Sequence, residues 1–263
     1  MLLFTAVAVW KFDSIKLRVQ NFHRNFVLKK QTSEIVLKTF NNDIGDVLND
    51  TFIVDQNART VEFLFLGNSL TYTGVPEEEP DKTRRGLTST KIENDYVHRL
   101  VSMYAKKYAV NVKFSAVNIA NFERGFTEKE FSNDLQESLS LQYIHAKNPD
   151  VVIFQIGENV TKKDISENGK LFFERYCNLV NAFGDSKRIV CLPFWPDKEK
   201  INIITDVGIA TDSMICDLSH LGGGIDTDNF ASSQKKYKQP GVGAHPGDVG
   251  MERIAKNIFS VLF

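Results

Sequence analysis

Val61-Glu62-Phe63-Leu64-Phe65-Leu66-Gly67-Asn68-Ser69-Leu70-Thr71 decides the fold. Six mostly apolar, β-prone residues stop at a glycine, and a serine follows two positions later. A run of this length and composition reads as a buried strand. The glycine lets the chain turn sharply and leaves a hydroxyl at the strand end. Near the other end of the sequence, Gly243-Ala244-His245-Pro246-Gly247-Asp248 precedes a last amphipathic segment. A strand-end serine and a loop histidine, far apart in sequence, are the ingredients of serine-based acyl transfer.

Working outward from that strand, apolar runs of strand length alternate with helical spacing from residue 59 onward. The strands are expected at 61–66, 110–118, 151–156, 188–193 and 214–218. Helices are expected at 95–108, 127–147, 167–183, 198–210 and 248–263. Strands this apolar, separated by helices, predict an α/β fold with a mostly parallel sheet of five strands covered on both faces. Right-handed crossovers then bring the loops after each strand to one edge of the sheet. Ser69, Asn118 and Asn159 follow the first three strands, so they are expected to face one crevice.

Residues 1–58 read as an N-terminal extension that contributes short packed segments, and residues 59–263 as the main domain. Residues 1–10 are apolar but too few to span a bilayer, which takes roughly 20 residues. Three readings stand: the end of a membrane anchor, a signal-like segment, or a buried strand or helix. Lys11, Lys16 and Arg18 follow at once and favour the anchor, and with it a cell-envelope, periplasmic or extracellular location over a cytoplasmic one. The net charge is −1, without the basic excess of a nucleic-acid binder. The three cysteines, Cys177, Cys191 and Cys216, are widely spaced and match neither a disulfide framework nor a zinc site.

Four blocks stand in order: Gly67-Asn68-Ser69-Leu70-Thr71, Asn118-Ile119-Ala120-Asn121-Phe122-Glu123-Arg124, Gln155-Ile156-Gly157-Glu158-Asn159-Val160, and Gly243-Ala244-His245-Pro246-Gly247-Asp248. Together, over about residues 60 to 263, they resemble the SGNH hydrolase superfamily, the GDSL-type esterases and lipases. The resemblance implies a three-layer α/β/α, flavodoxin-like fold. It implies Ser69 as nucleophile and His245 as general base. The Ser69 N–H and the Asn159 carboxamide become oxyanion donors, and neither a metal nor an organic cofactor is needed. Taken singly, each residue also has a structural reading: a capping serine, a turn asparagine, an exposed loop histidine.

Two positions depart from the family pattern. The second block lacks the glycine whose N–H donates to the oxyanion, leaving Ala120 or Asn121 for that part. The aspartate expected three residues before the histidine is Val242. The ring is then held by a backbone carbonyl, or by Glu158, Glu123 or Asp248; Asp248 also fits a first-turn acid of the last helix. Between Tyr72 and Lys91 lies a charged insertion longer than the about 2–6 residues of an ordinary strand-to-helix loop. Polar loops of this kind suit an ester carried by a carbohydrate, with Asn68, Tyr72 and Trp195 as substrate contacts. The reading is therefore an esterase that removes a small acyl group, acetyl above all, from a sugar hydroxyl. The alternatives are an O-acyltransferase acting on an envelope or capsular polysaccharide, and a non-catalytic carbohydrate-binding protein on the same scaffold.

Overall fold

The computed structural model describes residues 47–127, 148–224 and 227–262. The anchor reading of residues 1–10 and the helix expected over 127–147, but for its first residue, lie outside the described residues. The strands are β1 (Val47–Phe52), β2 (Thr60–Gly67), β3 (Asn111–Asn118), β4 (Val151–Phe154), β5 (Lys187–Cys191) and β6 (Met214–Cys216). The helices that matter here are α1 (Tyr96–Tyr108), α2 (Ala120–Gly125), α3 (Lys162–Asn181), α4 (Lys198–Ala210), α5 (Ser219–Gly223), α6 (Pro240–Gly243) and α7 (Asp248–Val261).

The strands form one sheet in the order β1-β3-β2-β4-β5-β6. Every neighbouring pair from β3 to β6 is parallel. Among the described residues the sheet therefore has six strands rather than the five expected. The addition is β1, which pairs antiparallel with β3 from Val47↔Val117 to Phe52↔Val112. It comes from the stretch read as an extension. Its Asn49, Asp50 and Thr51 leave no apolar run, which suits an edge strand whose polar residues discourage further pairing. Asn111 fixes the turn into β2: its Oδ1 accepts from Val54 N at 2.8 Å and its Nδ2 donates to Asp55 O at 2.7 Å.

Alternation along β2 builds the three layers. Val61, Phe63 and Phe65 point to the face covered by α1 and α7, where they meet Val97, Leu100, Met251, Ile254 and Ile258. Leu64 and Leu66 point to the opposite face, against Phe172, Tyr176 and Leu179 of α3 and Ile204 and Val207 of α4. Both faces of the centre of the sheet are covered, so β4 is wholly apolar and β2 carries polar side chains only near its start, at Thr60 and Glu62. Among the described residues, no helix is long and apolar enough to cross a membrane.

Candidate active site

The loops that leave the carboxyl ends of β2, β3, β4 and β5 gather at one edge of the sheet, beside the segment that enters α7. Gly67 ends β2 because nothing larger fits: a Cβ there would lie 1.9 Å from Thr71 Oγ1. Asn68 then makes the turn. Its carbonyl accepts from Thr71 N at 3.0 Å and its Oδ1 from Leu70 N at 3.1 Å. Ser69 is left partly exposed at the top of the strand.

The histidine arrives from the far end of the chain. Phe230 and Pro246 form an isolated antiparallel bridge, and Ala231 N donates to His245 O at 2.8 Å. This fixes the backbone on either side of the ring. Ser69 Oγ and His245 Nε2 are 3.3 Å apart across 176 residues of sequence. His245 Nδ1 lies 2.8 Å from Gly241 O, in the short helix α6. A carbonyl only accepts, so Nδ1 carries the proton in the neutral ring and Nε2 turns its lone pair toward the serine. Burial lowers the pKa of His245 from its ordinary value, against the carbonyls of Gly241 and Val242, which favour the charged ring.

The carboxylates considered for that ring are engaged elsewhere. Asp248 opens α7, where it accepts from Thr90 N at 2.9 Å, Thr90 Oγ1 at 2.5 Å and Asn94 Nδ2 at 3.0 Å. Glu158 accepts from Phe194 N at 2.6 Å and Gln155 Nε2 at 3.0 Å. Glu123 is buried among the turns that follow β2 and β4. It accepts from Gly157 N at 2.5 Å, Asn159 Nδ2 at 2.6 Å and Asn68 Nδ2 at 3.2 Å. Val242 contributes its carbonyl and not its side chain. The ring nitrogen meets a backbone carbonyl, that of Gly241, while Val242 O accepts from the backbone N–H of His245 at 3.0 Å. The sequence carries no sign of that, because any residue can supply a carbonyl.

Other expected residues also find definite places. The Ala120 N–H is spent on Asn118 Oδ1 at 3.0 Å, which removes it as an oxyanion donor. Asn121 lies in the first turn of α2, where N–H groups have no partner within the helix. Asn159 leaves β4 through Gly157, whose φ of +127° is a backbone state that glycine alone takes cheaply. Asn68 and Tyr72 were read as substrate contacts, yet both are buried, Asn68 completely. They shape the turn below the serine and do not line its mouth. Trp195 is half-buried; its indole N–H donates to Ala244 O at 3.1 Å and its ring meets that of His245 edge-on, centroids 5.0 Å apart. It walls the histidine in.

Two charged groups beside the site were given no role in the sequence reading. Lys200 of α4 is buried and its Nζ donates to Gly157 O at 2.9 Å, bracing the turn that carries Asn159. Arg124 Nη2 donates to Asn159 Oδ1 at 3.1 Å. Burial, with the neighbouring charge of Glu123 adding to it, pushes the Glu158 carboxyl up to about 8 against the Phe194 N–H and the Lys200 charge. Burial also raises Glu123, although its hydrogen bonds oppose this.

No family model and no curated protein matches the chain in sequence. Solved structures do match its fold. A protein from Bacillus subtilis aligns over 80% of this chain and 58% of its own, at 16% identity and a TM-score of 0.50. The likeness is one of fold: a mostly parallel sheet between two layers of helices. A two-domain esterase active on acetylated mannans aligns over 78% of this chain and 49% of its own, at 17% identity and a TM-score of 0.48. This chain thus spans about half the length of that esterase. A family 3 carbohydrate esterase of Clostridium thermocellum aligns over 77% of this chain and 95% of its own, at 15% identity and a TM-score of 0.47.

Proposed function

We propose that this chain is a serine carboxylic ester hydrolase that removes a small acyl group, acetyl above all, from a carbohydrate hydroxyl. One observation carries the reading: Ser69 Oγ faces the lone pair of His245 Nε2, whose other nitrogen is tied to a carbonyl. The 3.3 Å separation suits a resting pair that tightens once substrate is bound. Ser69 Oγ attacks the ester carbonyl while its proton passes to Nε2. The imidazolium then gives that proton to the departing sugar oxygen. Water, deprotonated by the same nitrogen, attacks the acyl-enzyme, and that proton returns to Ser69 Oγ as the acid leaves. The Ser69 N–H and the Asn159 carboxamide donate to the oxyanion, each such donor being worth about 3 kcal/mol in the transition state.

A sugar ester is the favoured substrate because the insertion after Ser69 carries exposed charged residues. The insertion after Ser69 passes beside the histidine segment: Leu87 N donates to Ser69 O at 2.9 Å and Thr88 Oγ1 to Pro246 O at 2.9 Å. Its exposed residues include Glu77, Asp81, Lys82 and Arg84. A lipase would need an apolar rim of several hundred Å² there.

The test is turnover of p-nitrophenyl acetate and of acetylated polysaccharides by the wild type, Ser69→Ala and His245→Ala. Both variants are expected to lose at least about a thousandfold in kcat. Turnover no faster than that of Ser69→Ala would replace the reading with that of a carbohydrate-binding protein. Acyl transfer to an added sugar outpacing hydrolysis would replace it with that of an acyltransferase.

A further inference from the structure

Glu123 takes no part in the proton transfers, yet it sits where the loops that perform them meet. It is 1% exposed, and each hydrogen bond to its carboxylate comes from a donor. Oε1 accepts from Gly157 N at 2.5 Å, Asn68 Nδ2 at 3.2 Å and Asn159 N at 3.3 Å. Oε2 accepts from Asn159 Nδ2 at 2.6 Å. The next residue, Arg124, donates to the other end of the same carboxamide, Asn159 Oδ1, at 3.1 Å. Consecutive residues of α2 therefore grip the amide of Asn159 at both its nitrogen and its oxygen.

That grip has a chemical consequence. A carboxamide has two nearly isosteric orientations. Reversed, Asn159 would set its oxygen against the Glu123 carboxylate and its NH2 against the Arg124 guanidinium, both repulsive. One N–H of Nδ2 points at Glu123, and planarity of the amide fixes the direction of the second. We propose that Glu123, with Arg124 opposite, is the positioning residue of the oxyanion site: it orients Asn159 so that its second N–H meets the developing charge. The same carboxylate ties this turn to Asn68, which precedes the nucleophile. This inference rests on the reading of Asn159 as an oxyanion donor. The second block of sequence thus serves the site through a side chain, in a chain whose Ala120 N–H is already spent.

Glu123→Gln keeps the shape but turns an NH2 or a weaker acceptor toward donors. It should lower kcat on p-nitrophenyl acetate about 30- to 300-fold, approaching the loss of a whole oxyanion donor, with KM changed less than about threefold. In an Asn159→Ala background the same substitution should cost less than about threefold, because the group it orients is gone. A loss confined to KM, or a full additional loss in that background, overturns the proposal. Should Glu123→Gln fail to fold, Arg124→Met replaces an exposed residue and should lower kcat about tenfold at unchanged melting temperature, a partial loss of one oriented donor; unchanged kcat there overturns it equally. If wild type and Ser69→Ala turn over alike, the esterase reading fails and the orientation is decided separately. The Asn159 side-chain amide resonance, assigned by its disappearance in Asn159→Ala, must then shift in whichever of Glu123→Gln and Arg124→Met folds. An unmoved resonance overturns the clamp.

Discussion

At the scale of single residues, the histidine and one carboxyl carry predictions that read charge directly. The His245 ring is held by the carbonyl of Gly241, and burial lowers its pKa. The proposed mechanism needs the neutral ring, and a lowered pKa keeps it neutral to lower pH. The acidic limb of kcat/KM should therefore have its midpoint below the ordinary histidine value of about 6.5; a midpoint above it would contradict this assignment. Glu158 gives the opposite kind of signal. Its carboxyl is pushed up to about 8, so the folded chain holds a proton that the unfolded chain releases at about 4.3. Between those values the native state binds more protons, and stability falls as pH rises. Glu158→Gln, neutral throughout, should flatten that decline and melt higher than wild type at pH 8. Melting curves from pH 5 to 8 check it, and parallel slopes for the two proteins would refute it.

At the scale of elements, the sequence was legible wherever an element is buried on its own account. Helix 198–210 was expected and is observed as Lys198–Ala210, capped by Asp197, whose Oδ1 accepts from Glu199 N at 3.1 Å. Helix α7 was expected from 248 and begins there. Helix α3 starts at Lys162 and not at 167, because Thr161 caps it through Asp164 N, and Asn168 kinks it where the helical pattern weakens. β1 was illegible as a strand because its identity lies in its pairing with β3 and not in its own residues. The site divides in the same way. Ser69, Asn159 and His245 stand out by block and position. The Gly241 carbonyl, the Lys200 brace and the Glu123–Arg124 grip exist only once distant turns are packed together. Asp248 belongs to this scale: a first-turn acid of α7 that also accepts from Thr90 and Asn94. Asp248→Ala should cost about 1–3 kcal/mol, from lost charge-assisted hydrogen bonds and an uncompensated helix start. Denaturant titration reads that loss, and a cost within about 0.5 kcal/mol, the range of a neutral surface change, would contradict it.

At the scale of the whole molecule, Ser69 and His245, the proposed nucleophile and base, come from stretches 176 residues apart, and the insertion after Ser69 connects them. Thr73 and Arg85 pair through two backbone hydrogen bonds of 3.0 and 3.1 Å and close the insertion into a hairpin-like arm. The arm reaches the histidine segment through Thr88 and Pro246, through Glu78, which accepts from Lys238 N at 3.2 Å, and through Glu79, which pairs with Lys235 Nζ at 2.6 Å. Glu79 is 6% exposed, and Lys235 is the cation set against its carboxylate. Tyr237, pushed up to about 12 by burial and by Glu79, keeps its proton and faces the same carboxylate. Lys235→Met strands the buried charge. Breaking a buried pair costs about 3–5 kcal/mol, and the partial exposure of Lys235 reduces this to about 1–3 kcal/mol. For a chain of this size that is roughly 2–10 °C in melting temperature. Because the segment that loosens carries His245, kcat should fall while KM stays nearly constant. Lys235→Met with Glu79→Gln removes the stranded charge and should recover most of the melting temperature. If the single variant melts like wild type, or the double variant melts lower than the single one, the arm does not couple the two halves of the site through this pair.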